Sequence, residues 1–182
     1  MEIPGESTPK QKTRVLIVED QISIREMLAT LIAGMPEFEV VAEAGSVDEA
    51  LRLLQRTKPE VVILDWMFPG GGGPAFLRGM QTERLFSHVL VMSADTEDDA
   101  VREALTGGAK GYIEKVADLD EFMRALRTVA TGGAYFGPVV ASVVERLVKR
   151  LAPGKSLETT MPAVAPAAVE VARSDTPSAQ VA

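Results

Sequence analysis

Short apolar runs alternate with amphipathic stretches five times between residues 14 and 131. Val15-Leu16-Ile17-Val18, Val61-Val62-Ile63-Leu64 and Val89-Leu90-Val91-Met92 are uninterrupted, the pattern of strands buried on both faces. Phe38 to Ala44 alternates like a second strand, and Lys110 to Ile113 is a short fifth. Between them lie helical stripes. Ile24, Met27, Leu28, Leu31, Ile32 and Met35 recur at helical spacing, with the methionines as core filler. Ser46-Val47-Asp48-Glu49 has the form of a capping box opening a helix with Val47, Ala50, Leu51 and Leu54 inside. Pro74 suits the first turn of a third helix carrying Phe76, Leu77 and Met80. Val101, Ala104 and Leu105 mark a fourth, and Asp118 caps a fifth with Leu119, Phe122, Met123, Leu126 and Ala130 facing inward.

Strands and helices in this alternation predict an α/β fold, a doubly wound five-stranded parallel sheet with helices on both faces. The first strand is not followed by Gly-x-Gly-x-x-Gly, which removes the main support for a dinucleotide-binding arrangement. The flavodoxin-like order 2-1-3-4-5 remains, with an extra C-terminal helix after the fifth unit.

The strand ends carry the chemistry. Glu19-Asp20 follows the first strand and Asp65 the third, and in this order the two strands are neighbours, so three carboxylates converge. At a separation of about 4 Å and an effective dielectric near 20, each like-charged pair costs about 4 kcal/mol. Either a proton or a cation must join them. Oxygen donors without His or Cys favour Mg²⁺. Ser93 after the fourth strand and Lys115 after the fifth point into the same crevice, completing what is needed to accept and hold a phosphoryl group. An aspartate before Pro69 and Gly70 also suits a simple turn, and the four glycines from Gly70 to Gly73 make that loop unusually free.

Composition narrows the partners. The chain of 182 residues has a net charge of -7 and no cysteine, which excludes disulfides and thiolate chemistry and fits a cytoplasmic address. No run approaches a membrane span. Acids outnumber bases in the 14–131 body, which disfavours direct contact with nucleic acid. Residues 1–13 read as a flexible leader and 152–182 as a disordered Ala/Pro-rich tail.

With these residues in place, the 14–131 segment resembles the receiver domains of two-component response regulators. The resemblance rests on Glu19-Asp20, Asp65, Pro69 to Gly73, Ser93, Tyr112 and Lys115 in register at strand ends. It implies that Asp65 is the phosphoacceptor and that Glu19, Asp20, Asp65 and the backbone carbonyl of Met67 hold Mg²⁺. It further implies that Ser93 and Lys115 bind the phosphoryl group and that Tyr112 is a switch residue rotating inward. The implied donor is a sensor histidine kinase or a histidine phosphotransfer protein, and a downstream protein reads the altered surface. The chemistry expected is self-phosphorylation and self-dephosphorylation, not enzymatic turnover. Gly132 to Phe136 resembles the end of receivers that usually carry a LuxR-type helix-turn-helix, yet no such domain is legible after Leu151, so a stand-alone receiver is expected.

Two other classes compete. A haloacid dehalogenase-type phosphatase wants a second acid two residues after the nucleophile, where Met67 stands. A degenerate receiver serving as a phosphorylation-independent binding or dimerisation module should lack a site residue, and none is missing. Within 132–151, the helix from Pro138 has a valine and leucine stripe too wide for a free surface. It is covered by docking on its own domain, by a homodimer contact or by a partner.

Overall fold

A computed structural model describes residues 11–151. The sheet runs in the order β2-β1-β3-β4-β5-β6, every neighbouring pair parallel. Its strands are β1 (Thr13–Val18), β2 (Phe38–Ala44), β3 (Val61–Asp65), β4 (His88–Ser93), β5 (Gly111–Glu114) and β6 (Tyr135–Phe136). The intervening helices are α1 (Ile22–Ala33), α2 (Val47–Thr57), α3 (Gly72–Thr82), α4 (Asp98–Thr106) and α5 (Leu119–Ala130), with α6 (Pro138–Leu151) at the end. The leader and tail readings fall outside the described residues, apart from 11–13.

Side-chain alternation along the strands divides the interior into two cores. Val15, Ile17, Val61, Ile63, Leu90 and Ile113 face one way, under Leu28 and Ile32 of α1 and Phe122, Ala125, Leu126 and Val129 of α5. Leu16, Val18, Val62, Leu64, Val91 and Tyr112 face the other, under α2, α3, α4 and α6. Both helix caps behave as their sequences imply. The Ser46 hydroxyl accepts the Glu49 amide at 3.4 Å, and the Asp118 carboxylate accepts the Glu121 amide at 2.7 Å.

Several expectations change. The sheet has a sixth strand, because Tyr135 and Gly137 amides donate to the carbonyls of Lys110 and Tyr112 at 3.1 and 3.0 Å. Two residues are too few to display an alternating pattern. Residues 132–151 therefore extend the same sheet and core, and α6 docks on its own domain with Val140, Val143 and Val144 buried. Met27 and Leu119, expected inside, are exposed: one stands at the margin of the α1 stripe, the other is the first residue of α5.

The glycine loop is not free. Gly70, Gly71 and Gly72 all take positive φ, and α3 begins at Gly72, two residues before Pro74. A Cβ on Gly73 would lie 2.3 Å from the Trp66 ring, and one on Gly72 would lie 2.5 Å from the Trp66 carbonyl oxygen. Gly73→Ala is therefore expected to cost about 2 kcal/mol, the range for overpacking a fitted site. Gly70→Ala, with nothing within 4 Å of the added methyl, should carry only a backbone penalty of about 1 kcal/mol. Urea unfolding of the two variants side by side checks the order.

Candidate functional site

The C-terminal edge of the sheet gathers Glu19, Asp20, Asp65, Ser93 and Lys115, as the strand order requires. Glu19 and Asp65 are both buried, each 2% exposed. One oxygen from each of Glu19, Asp20 and Asp65 lies within 4.8 Å of the others. Lys115 holds two of the three: its ammonium is 2.9 Å from Glu19 Oε2 and 2.8 Å from Asp65 Oδ2. Asp65 Oδ1 accepts the Met67 amide at 3.0 Å, so that backbone fixes the carboxylate's rotation. The Met67 side chain is exposed at this loop.

Burial pushes the Glu19 carboxyl above its ordinary pKa, opposed by the Lys115 hydrogen bond and aided by the Asp65 charge. Burial alone would lower the Lys115 ammonium, but its hydrogen bonds to Asp65 and Glu19, with their charges, raise it above its usual value. The lysine thus stays protonated and serves as the internal counter-ion. Asp20 Oδ1 is left buried without a hydrogen-bond partner. An orphaned hard acceptor beside two further carboxylates fits a divalent cation such as Mg²⁺.

Two residues that sequence reasoning did not single out help to shape this edge. Arg25 of α1 donates to the Glu19 carbonyl at 2.5 Å and pairs with Glu43 at 3.5 Å, tying the acidic turn to α1 and β2. Its place one turn into the helix after an acid pair was the available signal. Asp95, before the fourth helix, is a backbone hub. Its amide donates to Ser93 Oγ at 2.9 Å, its carbonyl accepts the Tyr112 hydroxyl, and its carboxylate accepts the Glu97 amide at 2.9 Å. No sequence pattern announces such a role.

Tyr112 faces inward, fully buried in the core that holds Val140, Val143 and Val144. Its ring centroid is 6.3 Å from that of Trp66. Burial pushes its pKa up to about 12. The folded chain holds this proton more tightly than the unfolded chain. The associated stability is complete below pH 10 and lost as pH rises from 10 through about 12. The interval corresponds to about 3 kcal/mol. Denaturant unfolding across that range should fall more gently for Tyr112→Phe than for the native chain.

An acid triad, two of its members buried and clasped by a lysine, at the carboxyl end of a 2-1-3-4-5 parallel sheet defines a receiver domain of two-component signalling. The chain belongs to that family: residues 15–127 match the model for the response regulator receiver domain. It is 32% identical over 147 residues to the transcriptional regulatory protein DegU of Brevibacillus brevis, covering 81% of this chain and 62% of that one. It is 34% identical over 119 residues to the DNA-binding transcriptional activator DevR/DosR of Mycobacterium tuberculosis, covering 65% and 55%. The chain thus spans between 55% and 62% of these two relatives. Among solved structures, a LuxR-family two-component response regulator from Aurantimonas superposes with a TM-score of 0.69 at 30% identity, covering 76% of this chain and 99% of that one. The receiver domain of the putative response regulator NarL from Mycobacterium tuberculosis gives 0.64 at 30% identity, covering 67% and 98%.

Proposed function

We propose that Asp65 accepts a phosphoryl group from a phosphohistidine on a sensor histidine kinase or a histidine phosphotransfer protein. The observation that carries this reading is the acid triad of Glu19, Asp20 and Asp65, of which a single lysine holds the buried pair Glu19 and Asp65 while one acceptor of Asp20 is unsatisfied. An Asp65 carboxylate oxygen attacks phosphorus in line, forming an O–P bond as the N–P bond breaks and the electron pair returns to the donor imidazole. Lys115 turns its charge from the carboxylates toward the transferred oxygens. The Ser93 hydroxyl, released from the Asp95 amide, donates to one of them. The Met67 amide keeps Asp65 Oδ1 oriented throughout. Glu19, Asp20, Asp65 and the Met67 carbonyl would hold Mg²⁺, whose charge, when bound, offsets the carboxylates and polarises the phosphoryl oxygens.

The chain is read as a signalling acceptor in the cytoplasm, with no chemistry beyond its own phosphorylation and dephosphorylation. A downstream protein reads its surface, and homodimer formation is one route to that output. No described helix is long and apolar enough to cross a membrane. The net charge of the whole chain, -7, argues against direct DNA contact.

A second reading is a phosphorylation-independent binding module, in keeping with the full enclosure of Tyr112. Intact-protein mass spectrometry after incubation with acetyl phosphate and Mg²⁺ separates the two. A species heavier by one phosphoryl group is expected, and its consistent absence with a competent donor would leave the binding module.

A further inference from the structure

The two edges of the sheet differ in charge. The carboxyl edge gathers Glu19, Asp20 and Asp65. At the opposite edge, where the strands begin, stand Lys12, Arg56, Lys58, Arg84 and Lys110, all exposed and, among the described residues, none in an ion pair. Backbone hydrogen bonds set these strand entries side by side. The Glu60 amide donates to the Arg14 carbonyl at 2.9 Å, the His88 amide to the Glu60 carbonyl at 2.9 Å, and the Lys110 amide to the Val89 carbonyl at 2.8 Å. Most acids here are engaged: Glu37 pairs with Arg127, Glu39 lies 4.0 Å from Arg14, and Glu60 accepts the Arg14 amide, which leaves Glu83. A chain of net charge -7 thus carries a cationic pole. Cations near helix C-termini answer the helix dipole, which accounts in part for Arg56, Lys58 and Arg84. It does not account for Lys58 and Arg84 holding φ of 46° and 54°, where glycine is the ordinary choice, nor for Lys12.

The same pole is apolar at one place. Phe86, between Arg84 and β4, is 89% exposed. Beside it opens a hollow of about 370 Å³ lined by Leu77, Met80, Leu85, Phe86 and Val89, with Arg84 in its wall. A second hollow of about 210 Å³ lies between α3 and α4 and shares Leu77, Gln81 and Gly107 with the first, so the two form one groove. Contiguous apolar surface bordered by charge marks a place of contact with another molecule.

We propose that this groove and its basic border bind an acidic stretch of another polypeptide, which seats one large apolar side chain beside Phe86 while its carboxylates face Lys58, Arg84 and Lys110. Charge complementarity selects the acidic partner. The concavity selects its form. A phosphate backbone would answer the bases and leave the apolar hollow wet, and a bilayer surface would cover Phe86 without entering the hollow. Two joined hollows suit successive residues of an extended chain better than a compact ligand. The surface lies at the edge of the sheet remote from Asp65, so the proposal stands apart from the phosphoacceptor reading.

Two fluorescein-labelled peptides, both rich in glutamate, test this on the full chain: one carries a central phenylalanine and the other serine in its place. By fluorescence anisotropy the first should bind about tenfold more tightly than the second, and added salt should weaken both. Arg84→Glu and Phe86→Ser, at exposed positions, should each weaken the first peptide by about fivefold or more and leave urea unfolding unchanged. In methyl NMR spectra the first peptide should shift Leu77, Met80 and Val89 and leave Ile24 of α1 in place. Equal affinity for the two peptides would overturn the proposal, as would binding of neither or methyl shifts confined to other parts of the domain. Vesicles of phosphatidylserine in phosphatidylcholine and a duplex oligonucleotide are the competing anionic surfaces. Phe86-dependent binding of either in preference to the first peptide would give this face to a membrane or a nucleic acid and overturn the peptide assignment.

Discussion

Asp65→Asn is expected to form no phosphoryl adduct under any donor condition while keeping the native fold. Asparagine preserves the volume at a buried position, and its carbonyl oxygen can still accept the Met67 amide. What it lacks is a nucleophilic oxygen and a negative charge. The Asp65 charge is one of the causes that raise the Glu19 pKa, so its removal should bring Glu19 nearer its ordinary value. With one of three carboxylates gone, Mg²⁺ affinity should fall by about tenfold or more, since ligand charge sets the affinity of such sites. Trp66 fluorescence against Mg²⁺ measures the second effect and mass spectrometry the first. A phosphorylated Asp65→Asn chain would mean that another residue is the acceptor.

Lys115→Met should destabilise the metal-free protein strongly. It leaves Glu19 and Asp65, both buried, without the ammonium that now lies 2.9 and 2.8 Å from them. Stripping one partner from such a pair costs about 3 kcal/mol, because the remaining charge stays desolvated. The loss should shrink when Mg²⁺ is added, and the variant should bind the cation more tightly than the native chain, since the competing ammonium is gone. Adduct formation should still slow sharply for want of a group on the phosphoryl oxygens. Thermal unfolding with and without Mg²⁺ is the measurement. An equal deficit in both conditions would show that Lys115 supports the fold through its aliphatic stem.

The site was legible because its parts sit where chain geometry is simplest. Strands such as Val61–Asp65 are buried throughout and read as unbroken apolar runs, so an acid at the end of one stands out. Once the strand order is set, Glu19, Asp20, Asp65, Ser93 and Lys115 must share an edge. What escaped notice depends on neighbours remote in sequence. The need for glycine at 73 comes from the Trp66 ring, and nothing in Gly70 to Gly73 alone separates a cramped turn from a loose one. Arg25 matters through the Glu19 carbonyl, and Asp95 chiefly through its backbone, which a side-chain pattern does not disclose. The full enclosure of Tyr112 depends on α6, whose valines close over the same cluster, and the covering of the α6 stripe was open in the sequence.

β6 sets a limit on how copies of this chain can meet. At two residues it presents too few free amides and carbonyls to recruit a further strand. The opposite margin, β2, is longer, but Glu39 and Glu43 are exposed along it and would confront their own kind if two such margins were laid together. Among the described residues, growth of the sheet from one molecule into the next is disfavoured at both ends, which leaves self-association to surfaces other than the sheet margins.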